Sequence, residues 1–128
     1  CLLPRGLGDV YKRQGQLASK MRFLSAPWIG LLESGAWLRN ARHGNDCARR
    51  LAVAIADLPD VSPIFPVEAN ALFLTAPAEV LEALRARGWR FYTFIGGGAR
   101  FMFAWDAQVE RVDELARDIR EACLAVAA

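Results

Sequence analysis

At 128 residues the chain has room for one domain with a sizeable core, since 54% of it is hydrophobic and seven Phe and four Trp are among those residues. Its formal charge of +2 stems from residues 1–14, where Arg5, Lys12 and Arg13 outnumber Asp9, and the balanced remainder carries no basic stretch suited to nucleic acid. Three scattered cysteines, a single histidine and no CxxC pair exclude the usual zinc spacings, a disulfide framework and a serine-type triad, and they point to a reducing, cytoplasmic setting; no apolar run is long enough to span a bilayer.

Residues 1–14, CLLPRGLGDVYKRQ, are expected to be a non-native leader. Pro4, Gly6 and Gly8 break any period, the chain opens on Cys1 rather than Met, and DVYKRQ (9–14) resembles the translation of a transposon end used to prepare sequencing libraries. Residues 15–128 form the expected domain. From Gln16 to Leu32, the residues Leu17, Met21, Leu24, Trp28, Leu31 and Leu32 recur at threes and fours, which is one face of a helix. Pro27 is expected to kink or divide it, and Ser34-Gly35 to end it. A second helix is predicted over about Ala36 to Asp57, with Trp37, Leu38, Ala41, Ala48, Leu51, Ala52 and Ile55 on its inner side.

The period then changes. Val61 to Val67, broken by Pro63 and Pro66, is at best an edge strand, whereas Ala69 to Thr75 reads as a buried strand. Pro77 suits the first turn of a helix with Val80, Leu81 and Leu84 inside, and Gly88 caps its end. Trp89 to Asp106, WRFYTFIGGGARFMFAWD, reads as a β-hairpin around which the rest packs. Asp106 is placed to cap a last helix whose inner stripe is Val109, Val112, Leu115, Ala116, Ile119 and Cys123, with Asp113 and Arg117 paired four apart outside. The fold class is therefore α+β: a small antiparallel or mixed sheet with helices packed on one face.

Each chemistry-bearing candidate has an ordinary structural explanation. Gly96-Gly97-Gly98 lacks the Lys-Ser/Thr and following helix of a phosphate loop, so it reads as a hairpin turn whose bare backbone allows close approach. Arg100 offers a fork of donors matched to a carboxylate or phosphate, although composition alone favours an idle strand charge. Lys20 is the only lysine outside the leader and reads first as a solvated helix residue. His43 reads as a satisfied surface histidine, and Asn70, beside Glu68, as a residue that bonds backbone.

Taken in order, GQLASKMRFLSA (15–26), WLRNARHGND (37–46), FPVEANALF (65–73), RARGWRFYTF (85–94) and ARFMFAWD (99–106) resemble the C-terminal part of the low-specificity threonine aldolases. These are β-eliminating lyases of fold type I that depend on pyridoxal phosphate. The resemblance implies a small C-terminal domain preceded by its connecting helix, from an enzyme that splits L-threonine or allo-threonine into glycine and acetaldehyde. It implies that Arg100 fixes the substrate carboxylate and that Lys20 lines the site near cofactor and substrate. No catalytic residue is assigned, because the family's Schiff-base lysine precedes the matched region. The chain is then a truncated enzyme inactive alone, with an amino-acid substrate, no metal, no nucleic-acid or membrane partner, and a homo-oligomeric full-length form. The alternatives are the small domain of another fold-type I lyase or aminotransferase, and a stand-alone α+β ligand-binding or interaction module.

Overall fold

A computed structural model describes residues 20–94 and 96–126. The expected leader, residues 1–14, lies outside the described residues. The described residues divide into two compact units, with the boundary between Trp37 and Leu38.

The first unit contains α1 (Arg22–Glu33), none of whose residues is buried. Pro27 stands inside α1 without dividing it. Its missing N–H removes one backbone bond, the one to the Phe23 carbonyl, and the flanking turns continue. The helix ends as expected. The Ser34 N–H donates to the Gly30 carbonyl, and Gly35 adopts φ 65° while donating to Leu32, a left-handed exit that glycine makes without a Cβ penalty.

The next helix, α2 (Ala36–Ala54), ends three residues before the expected Asp57 and buries Gly44, Cys47, Ala48 and Leu51. The expected inner positions Trp37, Leu38 and Ala41 are exposed instead, so core contact in the second unit starts at Gly44. Then follow β1 (Ser62–Pro63), β2 (Ala71–Thr75), α3 (Ala78–Ala86), β3 (Tyr92–Thr93), β4 (Gly98–Met102) and α4 (Val109–Val126). This element order and the α+β class are those expected from the sequence.

The sheet has strand order β1-β2-β4-β3 and every pairing is antiparallel. The central pair is β2–β4, not the β3–β4 hairpin, because β3 is a two-residue edge. Alternation sorts the two faces. Leu72 and Leu74 of β2 and Ala99 and Phe101 of β4 enter one core with Leu51 of α2, Ile55, Val80 and Leu84 of α3, and Val112, Leu115 and Ile119 of α4. Each large side chain sealed there contributes about 1.5–3 kcal/mol by leaving water. Helices α2, α3 and α4 thus cover one face, and Phe73, Arg100 and Met102 project from the other.

Local chemistry fixes the ends of these elements. Pro77, with φ −54° and ψ 146°, precedes α3, and its carbonyl accepts the Leu81 N–H. Past α3, Gly88 at φ 91° donates to Arg85, and Trp89 donates to Leu84. Asp106 is not the cap of α4. That helix begins at Val109, and the Gln108 carbonyl accepts from Arg111 and Val112. The Asp113 carboxylate takes two bonds from Arg50 of α2, at 2.6 and 2.8 Å, a two-pronged partner, and Arg117 four residues along adds its attraction, as expected.

Candidate functional site

The strand register brings three side chains into one row on the uncovered face. Arg100 of β4 lies directly between Phe73 of β2 and Tyr92 of β3. Such cross-strand neighbours stand close enough for their side chains to touch. The Arg100 Cζ lies 5.1 Å from the centre of the Tyr92 ring, within reach of a cation–π attraction. Phe73 is itself held edge-on between Phe65, at 5.6 Å, and Phe94, at 6.0 Å. These four rings with Thr93 and Arg100 line an open cavity of about 310 Å³.

One atom in this cup stands out. Arg100 Nε is buried and has no hydrogen-bond partner among the described residues. A donor withdrawn from water and left unbonded is costly, and such groups mark places where a ligand or water completes the bonding. A forked cation with one unsatisfied donor, set in the wall of an open aromatic cavity, is equipped to receive a planar oxyanion.

The glycines of the connection divide the work. Gly96 and Gly97 take φ of 104° and 84°, and a Cβ on either would meet nothing within 4 Å; they serve the turn. Gly98 serves packing, because a Cβ there would fall 2.4 Å from the Phe94 ring and 2.8 Å from Ile64 Cδ1. The close approach expected of this loop is therefore made at Gly98 by the chain's own Phe94.

Lys20 is exposed, with φ 58°, just before α1 in the first unit, whereas Arg100 belongs to the second. His43 is half-buried rather than a plain surface residue, and its Nε2 lies 2.7 Å from the Ala107 carbonyl. Asn70 does bond backbone: its Nδ2 donates to the Phe103 carbonyl at 2.8 Å, and its own carbonyl accepts the Phe103 N–H. Glu68 is exposed. Cys47 and Cys123 are free, and burial pushes both thiols above their ordinary value, which makes them poor nucleophiles. Among the described residues no group of His, Cys, Asp or Glu could hold a metal ion, and no helix is long and apolar enough to cross a membrane.

The aromatic walls Phe65, Phe73, Tyr92 and Phe94 were not singled out from the sequence. The available signal was period-two alternation, which puts Phe73 and Arg100 on the uncovered side once β2 and β4 are paired. A further cavity, of about 300 Å³, lies between the end of β4 and the start of α4 and is lined by Trp89, Phe101, Phe103, Gln108 and Arg111. Among the described residues no lysine stands in the wall of either cavity. The described residues therefore do not by themselves fit a carbonyl cofactor held through an amine.

No family model matches the chain. It is 67% identical over 110 residues to a low-specificity L-threonine aldolase of Pseudomonas aeruginosa, a match covering 85% of the chain and 32% of that protein. A second low-specificity L-threonine aldolase, from another Pseudomonas strain, is 66% identical over 110 residues with the same coverage. The likeness expected from the ordered segments is borne out: this chain is similar, over most of its length, to about one third of a low-specificity L-threonine aldolase.

Proposed function

We propose that residues 15–128 are the C-terminal small domain of a larger threonine aldolase, and that residues 1–14 are a non-native leader. The complete enzyme cleaves L-threonine or allo-threonine to glycine and acetaldehyde, works in the cytoplasm, and is a homo-oligomer. Pyridoxal phosphate, the electron sink for such a cleavage, is held by residues outside this chain.

Arg100 is the contribution of this domain. Its guanidinium grips the substrate carboxylate, and the surrounding rings strengthen that ion pair by excluding water. A carboxylate held by a rigid fork is fixed in direction as well as place, which restricts the orientations of the amino acid's scissile bond. Lys20, a residue of the first unit, is proposed to line the complete enzyme's site near cofactor and substrate. The observation that carries the reading is the unpartnered, buried Nε of Arg100 on the uncovered sheet face, supported by the likeness to enzymes named for an amino-acid substrate.

The test is an Arg100→Ala substitution in a full-length enzyme containing this segment. Each lost bond to a charged group is worth about 1.5–3 kcal/mol, so kcat/KM for L-threonine is expected to fall by at least roughly tenfold. Unchanged steady-state kinetics would remove the role assigned to Arg100.

A further inference from the structure

We infer that Tyr92 is the positioning residue for Arg100, holding the guanidinium by its ring face so that the fork is set before any carboxylate arrives. This rests on the carboxylate-binding reading above and adds to it a named residue acting through another.

Four observations carry it. Tyr92 is the residue directly opposite Arg100 on the edge strand, and its ring lies 5.1 Å from Arg100 Cζ. Arg100 Nε is out of contact with water yet bonded to nothing, so no hydrogen bond at Nε fixes the head of the side chain. An attraction between the cation and the electron-rich ring face supplies the missing restraint while leaving the N–H donors free for a ligand. Tyr92 is also 72% exposed, so the core does not need it. Phe73, on the other flank, is already occupied by its edge-on contacts with Phe65 and Phe94.

The hold comes from the ring, not the hydroxyl. Tyr92→Phe should therefore preserve it and Tyr92→Leu should lose it. The experiment uses the 128-residue chain with 15N-labelled arginine, without ligand, and reads the heteronuclear NOE of Arg100 Nε–H, assigned by its disappearance in Arg100→Lys. The unsubstituted chain and Tyr92→Phe are expected to show an ordered Nε. Tyr92→Leu should fall to the value of the exposed Arg90, with backbone spectra confirming an unchanged fold. Titration with acetate forms a second arm, in which Tyr92→Leu is expected to weaken binding about two- to fivefold, the size of a partly exposed cation–π contact.

The two readings fail separately. Acetate binding that survives Arg100→Ala undiminished overturns the carboxylate assignment. Binding lost in Arg100→Ala, together with Arg100 order and acetate affinity both unchanged in Tyr92→Leu, overturns the role of Tyr92 alone.

Discussion

Gly98 shows how one absent atom shapes the candidate site. A Cβ at this position would sit 2.4 Å from the Phe94 ring, a distance no relaxed structure tolerates, so the ring would have to leave the wall it shares with Phe73. Gly98→Ala is expected to lower stability by about 1–3 kcal/mol, as overpacking does. In the background of Phe94→Ala the same change should cost less, because the nearer of the two clashing side chains is gone and only the Ile64 Cδ1 contact at 2.8 Å remains. Urea denaturation of the two single variants and the double variant checks this; additive effects would show that the contact does not govern the loop.

Among elements, the link between α3 and α4 has a definite chemical signature. The Trp89 indole N–H donates to the Asp118 carboxylate at 2.6 Å, and Arg87 at the end of α3 donates to its other oxygen, also at 2.6 Å. The indole bond, foremost, and the guanidinium hold Asp118 below its ordinary value of 3.8, against the opposing effect of partial burial. A carboxylate whose folded value is depressed contributes stability at any pH above its unfolded value. That contribution fades as pH falls below 3.8 and through the folded value. Trp89→Phe removes the largest cause, so the Asp118 titration midpoint, followed by carboxyl NMR, is expected to move upward, and the acid-induced loss of stability should become shallower. An unmoved midpoint would show that Arg87 alone sets it. Asp113 is lowered in the same direction by Arg50, and Asp57 by Arg120, but these pairs are well exposed and solvent screening leaves them little weight.

At the scale of the whole molecule, the chain spans about one third of the relatives it matches, and neither cavity described above contains a lysine. Incubated alone with pyridoxal phosphate and L-threonine, the chain is expected to release no acetaldehyde and to develop no new absorbance band near that of a bound imine. Release of acetaldehyde would show that the site is complete within these residues. The exposed face of α1, which includes Phe23, Trp28 and Ile29 at 52–66% exposure, is more apolar than a helix facing only water needs to be.

How much of this was legible in the sequence depended on distance along the chain. Element order, the glycine exits of α1 and α3, the inner faces of α3 and α4, and the edge character of the Ser62–Pro63 strand were readable, because periodicity and backbone restrictions at Gly and Pro act within a few residues. The likeness to threonine aldolases was readable for the same reason, as a series of local segments in order. The pairing of β2 with β4, the bonding of Asp113 to Arg50, the half-buried place of His43 and the aromatic cup around Arg100 were decided only by the tertiary structure. Each joins residues far apart in sequence, brought together by burial of a shared core. Arg100 could be named from its strand, but the two neighbouring strands and the loops that surround it could not, since strand register is set by packing rather than by any one segment's own preference.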